Sequence, residues 1–248
     1  MKTPAVVFLD ASAMKRAVLV RTRSTVAPKT LTWGPREITV PVTRFEAFDT
    51  TEGIANQVMR DEARLLPYVA ELAGAGRLRL QTGVEACGEF LGLREIDGLG
   101  VLDGVQIEMI ESPLGRSHSR MMGGGGLDAR KLQREFFESI HAPRYLEMRK
   151  AFGALKTGSK RSRNLLADIF HVWTADESGA DFLLTLDARL CRAVRGQPQL
   201  RLRVKVVQPS ELITEVPPPS LRWRLARAVD RLRARFKPRA QPDTLFGR

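Results

Sequence analysis

Two short apolar runs, each ending in an aspartate, constrain this chain more than any other feature. Residues 5–9 read AVVFL and lead into Asp10; residues 182–186 read FLLTL and lead into Asp187. An unbroken apolar run of this length suits a strand buried on both faces, and such strands belong to parallel sheets covered by helices. In an open α/β sheet, ligands bind beyond the carboxyl ends of the strands, so Asp10 and Asp187 are expected to face one crevice. A third acid, Asp168, is expected to open a helix with Leu165, Ile169 and Val172 on its buried stripe, closed by Gly179 at the C′ position. Three carboxylates at one crevice would make a cation site.

Between these landmarks the chain alternates strand and helix, which predicts a parallel α/β sheet. Val18 to Val42 alternates around a Gly34-Pro35 turn and is expected to be a small hairpin insertion, bounded at about residues 18–45. From Thr51, a hydroxyl N-cap, one helix is expected to carry Ile54, Val58, Leu65, Val69 and Leu72 as far as Gly74. Arg77 to Gln81 reads as a strand. Thr82-Gly-Val-Glu85 then turns into a helix reaching about Leu93, from which Glu85 and Glu89 project one turn apart, either within reach of a crevice at the strand end. Ile96 to Gly126 is glycine-punctuated and reads as an irregular insertion. Leu127 to His141 predicts a helix, Pro143 a break before the next, and Lys156 to Arg163 a basic loop leading to Asp168. A short helix from Ala188, a strand around LRVKVV and a closing Pro209 to Ile213 segment complete a domain of residues 1–216. Pro217 to Pro219 would be a stiff linker to a basic amphipathic helix within residues 217–248.

Lys and Arg number 40 against 28 Asp and Glu, a formal charge of +12 that points to a polyanionic partner or to solubility rather than to any fold. Cys87 and Cys191 lie too far apart in sequence for a zinc site of conventional spacing, and a reduced, cytoplasmic protein is the expectation. The apolar run before Asp10 is too short for a signal-peptide core, and no span has the length and apolarity to cross a bilayer. GALKTGSK from Gly153 has P-loop glycine spacing without the Gly-Lys-Ser/Thr ending, which argues against nucleotide binding.

AVVFLDASA with its hydroxyl two after the aspartate, TGVEACG, DIFHVWTA and FLLTLDARL stand here in the order found in the PIN domain family of metal-dependent nucleases, which the segment from Ala5 to Leu212 closely resembles. The insertions near residues 18–45 and 96–126 depart from the compact family core. The resemblance implies an enzyme that hydrolyses phosphodiester bonds of RNA, or of single-stranded or flap-like DNA, with Mg²⁺ or Mn²⁺ held by carboxylates. It makes Asp10, Glu85, Asp168 and Asp187 the catalytic and metal-binding acids, Glu85 preferred to Glu89 by its T-x-x-E spacing from Thr82. Ser12 matches the hydroxyl that supports the first aspartate, and Thr185 is taken as a second supporting hydroxyl. An antitoxin or other protein partner, and self-association, are compatible with it.

Hard divalent cations take oxygen ligands, and one or two of them neutralise charge on the attacking and leaving oxygens of an in-line displacement. Lys156, Lys160, Arg161 and Arg163 would supply the attraction for the phosphate backbone that an acidic pocket lacks. Each acid also has a plain structural role open to it. An aspartate after a strand is commonly a helix N-cap, and His171, three residues beyond Asp168, is expected to be a packed structural histidine. A nucleic-acid-binding or scaffolding protein that keeps the fold without cutting is the alternative reading.

Overall fold

The computed structural model describes residues 3–17, 20–33, 36–49, 51–91, 100–115, 129–154 and 160–217. The elements run β1 (Ala5–Leu9), α1 (Ala11–Ala17), β2 (Val20–Trp33), β3 (Arg36–Asp49), α2 (Gln57–Ala63), α3 (Leu66–Gly74), β4 (Leu78–Gly83) and α4 (Val84–Leu91). They continue with β5 (Ile107–Ile110), α5 (Ala129–Ser139), α6 (Pro143–Ala151), α7 (Lys160–Glu177), β6 (Phe182–Leu184), α8 (Ala188–Arg195), β7 (Lys205–Val207) and α9 (Pro209–Glu215). The chain divides at Glu215; Val216–Arg248 forms a second unit. The expected C-terminal helix lies outside the described residues.

Five strands make one all-parallel sheet in the order β5-β4-β1-β6-β7. The chain builds outward from β1 through β4 to β5, then returns to the other side of β1 with β6 and β7. The direction of winding therefore reverses between β1 and β6, where this class of sheet opens its crevice. Parallel strands bury both faces, and alternation divides their side chains between two layers of helices. On one side Phe8, Leu183 and Val206 join a core completed by Phe137, Tyr145, Met148, Leu166, Ile169, Phe170 and Trp173, from α5, α6 and α7. On the other, Val7, Leu9, Leu80 and Leu184 are buried on the side where α3 packs along β4 and α9 along β6. Among the described residues no helix is long and apolar enough to cross a membrane.

Several expected boundaries move. The single helix from Thr51 is two helices, α2 capped by Asn56, whose side-chain oxygen accepts from the Met59 N–H, and α3 with proline in its first turn. Pro67 has no N–H to continue the α2 ladder, which is why the helix breaks there. The hairpin is longer than expected: its two fourteen-residue strands pair without interruption from Val20 with Asp49 to Trp33 with Arg36. The supposedly irregular segment after Ile96 contains β5, a half-exposed edge strand paired with β4. Its four residues, IEMI, have neither strict alternation nor an apolar run, so periodicity could not reveal it. The Lys156 to Arg163 segment is not all loop. Lys160, Arg161 and Arg163 lie on the first turn of α7, which places Asp168 within that helix rather than at its start.

Helix α7 is buried without interruption from Ile169 to Asp176. Gly179, at φ 70°, ends it, and the Ala180 N–H returns to the Ala175 carbonyl to close the last turn. Phe170 occupies the centre of an aromatic cluster, with ring centroids 5.1 Å from Phe137, 5.8 Å from Phe136 and from Trp173, and 6.1 Å from Tyr145. Truncating it leaves a cavity those rings cannot collapse into together. The Phe170→Ala protein is expected to lose about 3–5 kcal/mol of stability in urea unfolding; a loss below about 1 kcal/mol would show that the cluster is not the packing centre.

Candidate functional site

The site grows from the carboxyl ends of β1, β4 and β6. Asp10 follows β1 directly, and its N–H bonds to the Leu184 carbonyl at 3.1 Å, tying the end of β1 to that of β6. The Asp10 carbonyl then accepts from Ala13 and Met14 as α1 begins. The residue is 5% exposed, and an unpaired buried charge there would cost several kcal/mol.

Donors from three separate elements offset that cost. Oδ2 accepts from the Ser12 hydroxyl at 2.5 Å, the Thr185 hydroxyl at 2.8 Å and the Ser12 N–H at 3.3 Å. Oδ1 lies 2.9 Å from Nδ1 of His171 on α7. The two hydroxyls are 3.0 Å apart, and they in turn accept from backbone, Ser12 from the Leu186 N–H and Thr185 from the Asp187 N–H, each at 3.1 Å. Burial by itself would raise the Asp10 pKa; the His171 hydrogen bond and charge, with Ser12 and Thr185, outweigh it and bring the group down to about 2. Asp10 is therefore an ionised, immobilised carboxylate.

Glu85 presents the opposite condition. It lies in the first turn of α4, is 1% exposed, and among the described residues neither carboxylate oxygen meets a hydrogen-bonding group of another residue. A Cβ placed on Gly83 would come within 3.3 Å of Phe8 Cζ and 3.6 Å of Glu85 Oε2, so the glycine leaves the room these two side chains occupy. Burial raises the Glu85 pKa, only partly opposed by its own backbone N–H and the charge of His171. The other buried acids among the described residues are satisfied. Asp176 accepts from the Arg203 and Val204 amides, and Glu62 from the Ser210 amide and hydroxyl, fixing the start of α9. A buried carboxylate without a partner requires a proton, a water or an ion.

The remaining expected residues fall differently. Asp187 is the N-cap of α8, its Oδ1 accepting from Arg189 N–H at 2.7 Å and Leu190 N–H at 3.4 Å. Asp168 is half-buried on α7, one turn before His171. Among the described residues no three His, Cys, Asp or Glu side chains converge as a metal-binding group. Lys156 and the side chains of Glu89, Lys160, Arg161 and Arg163 lie outside the described residues. His171 is packed as expected, 2% exposed on α7; what the sequence did not show is its contact with Asp10. A groove of about 590 Å³ lies elsewhere, bordered by α8, β7 and α9. None of the candidate acids borders it, and its Arg195 and Lys205 are already paired with Glu211 and Glu215, so the chemistry is assigned to the strand ends.

The two acids impose opposite pH dependences on the metal-free fold. The Asp10 pKa is depressed, so its contribution of about 2 kcal/mol is present above pH 3.8 and is lost as pH falls toward 2. The Glu85 pKa is raised, so the folded state binds the extra proton and stability falls as pH rises from 4.5 through the folded value. Urea unfolding in EDTA is expected to show that fall in the parent and not in Glu85→Gln; identical slopes would mean that Glu85 is not held neutral. No family model, curated protein or solved structure matches this chain.

Proposed function

We propose that this protein is a metal-dependent phosphodiesterase acting on RNA, with Asp10 and Glu85 as its principal cation ligands. The observation that carries the reading is the buried carboxylate of Glu85, without a hydrogen-bond partner among the described residues and close enough to feel the charge of His171, which in turn contacts Asp10. Oδ1 of Asp10 has the His171 contact alone among its hydrogen bonds, so it retains acceptor capacity for a cation, while the three donors on Oδ2 fix its direction. Mg²⁺ commonly uses one or two carboxylates and keeps several waters, so the donor set fits without a three-acid cluster. Asp187 spends a carboxylate oxygen on the α8 cap and Asp168 stands one turn before His171 on α7, so neither is counted among the principal ligands.

A bound Mg²⁺ or Mn²⁺ supplies an activated water and neutralises charge on the phosphate. The chain's own residues do the rest. Ser12, Thr185 and His171 hold Asp10 ionised and oriented, and α4 delivers Glu85 in its first turn. Lys160, Arg161 and Arg163 stand in the sequence of the same helix that carries Asp168 and His171. The formal charge of +12 agrees with a polyanionic substrate. An antitoxin-like protein partner is compatible with this reading.

One set of observations favours a second reading, a nucleic-acid-binding protein that does not cut: Asp187 is engaged in capping, and no three acids converge among the described residues. Labelled single-stranded RNA incubated with Mn²⁺ or Mg²⁺ separates the two. Cleavage abolished by EDTA and reduced at least about a hundredfold in Asp10→Asn, roughly 3 kcal/mol of transition-state stabilisation, is the expected result. Equal cleavage by parent and Asp10→Asn would discard the assignment, and binding without cleavage would favour the second reading.

A further inference from the structure

Helix α8 begins at the strand-end crevice. Its cap, Asp187, donates its N–H to the Thr185 hydroxyl, and that hydroxyl donates in turn to Asp10. The sequence ARLCRAVR then sorts onto two faces at helical spacing. Leu190 and Cys191 are buried and Val194 is half-buried on one face, whereas Arg189, Arg192 and Arg195 are exposed on the other. At about 1.5 Å per residue, Arg189 and Arg192 stand roughly 4.5 Å apart along the axis, with Arg189 nearer the crevice.

Folding accounts for only one of these three arginines. Nη2 of Arg195 reaches both carboxylate oxygens of Glu211 on α9, at 2.5 and 2.6 Å. Arg192 donates Nε to the Ala188 carbonyl at 3.2 Å, one turn back along its own helix, which leaves its Nη groups for another acceptor. Among the described residues no acid pairs with Arg189 or Arg192. The acids nearest in the chain are engaged: Asp187 accepts from the Arg189 and Leu190 amides, and Glu211 from Arg195 and the Gln208 amide. Two further exposed arginines occupy the opposite end of the sheet. Arg201 and Arg203 precede β7, which runs parallel to β6, so they stand at the amino ends of the strands.

We infer that Arg189 and Arg192 bind the phosphate backbone of single-stranded RNA where it leaves the strand-end crevice. The inference deepens the nucleic-acid part of the functional reading above and does not rest on cleavage. A guanidinium matches the oxygens of a phosphate in a two-pronged geometry, and such contacts position a strand without reading its bases. The ionised Asp10 repels a polyanion, so cations at the rim of the crevice are where attraction is needed. An anionic membrane suits this helix less well. A helix lying on a bilayer inserts an exposed apolar side, and α8 buries its apolar side within the domain.

The test uses the full chain in EDTA, where binding is read without hydrolysis, with a fluorescein-labelled oligouridine followed by anisotropy across a salt series. Arg189→Gln/Arg192→Gln is compared with Arg201→Gln/Arg203→Gln, the same charge change at the far end of the strands. The first is expected to bind about tenfold more weakly at low salt, with the slope of log affinity against log salt reduced by about 1.4 for two lost contacts to a single strand. The second is expected to stay within about threefold of the parent. Equal losses in both variants, or no loss in the first, would overturn the proposal. So would loss of phosphatidylserine-vesicle binding in the first variant when the parent binds vesicles and no RNA. Phenylglyoxal modification of the parent chain, mapped by mass spectrometry, is independent of variant folding. Protection of Arg189 and Arg192 by oligouridine, with Arg201 and Arg203 still modified, supports the proposal; equal modification of Arg189 and Arg192 with and without RNA refutes it. A parent that binds no RNA removes the nucleic-acid reading together with this one. RNA bound through Arg189 and Arg192 yet uncut in Mn²⁺ removes only the nuclease reading, whereas RNA bound and cut normally by Arg189→Gln/Arg192→Gln removes only this inference.

Discussion

The carboxylate of Asp10 joins the two halves of the sheet. Winding reverses between β1 and β6, and at that junction a buried charge is held by a hydroxyl from each side and by a histidine from the helix packed across them. The arrangement is mutually dependent. Asp10 remains ionised at 5% exposure because the donors are fixed, and the donors are fixed because Ser12 and Thr185 also accept the Leu186 and Asp187 amides. Removing one member leaves another buried group unpaired, which costs more than the lost hydrogen bond itself.

The same crevice shows how differently buried acids can be used. Asp176 and Glu62 spend their oxygens on backbone amides and stabilise loops and a helix start, and Asp187 spends one oxygen on the cap of α8. Glu85 spends neither. The first three are explained by folding alone. Glu85 has no folding role that its geometry reveals, and carrying a carboxylate at 1% exposure is unfavourable for stability whether it is charged or neutral. A buried carboxylate with no hydrogen-bond partner among the described residues is the feature on which the proposed cation site rests.

What could be read in the sequence was whatever produced a strong periodic or terminal signal. The apolar runs before Asp10 and Asp187, the glycine after α7 and the proline opening α6 each have a local cause, and the parallel α/β sheet followed from their order. The weaker elements depended on tertiary context. Strand β5 is four residues long and becomes a strand by pairing with β4. Pro67 divides α2 from α3, although the apolar stripe runs on through both. Helix α7 extends back to Lys160 through residues whose polarity resembles a loop. In the site, the partnership of Asp10 with Ser12 was local and legible, that with Thr185 lay two residues before a recognised aspartate, and that with His171 spans 161 positions. A histidine's packing neighbours are set by the fold, and spacing along one helix does not specify them.

The account turns on whether the strand-end acids hold a divalent cation. Anomalous diffraction from crystals equilibrated with Mn²⁺ addresses this most directly. A peak about 2.1 Å from a carboxylate oxygen of both Asp10 and Glu85 is the result expected for an ion of this kind. No peak at these oxygens at millimolar Mn²⁺, or a peak confined to other parts of the surface, would contradict it.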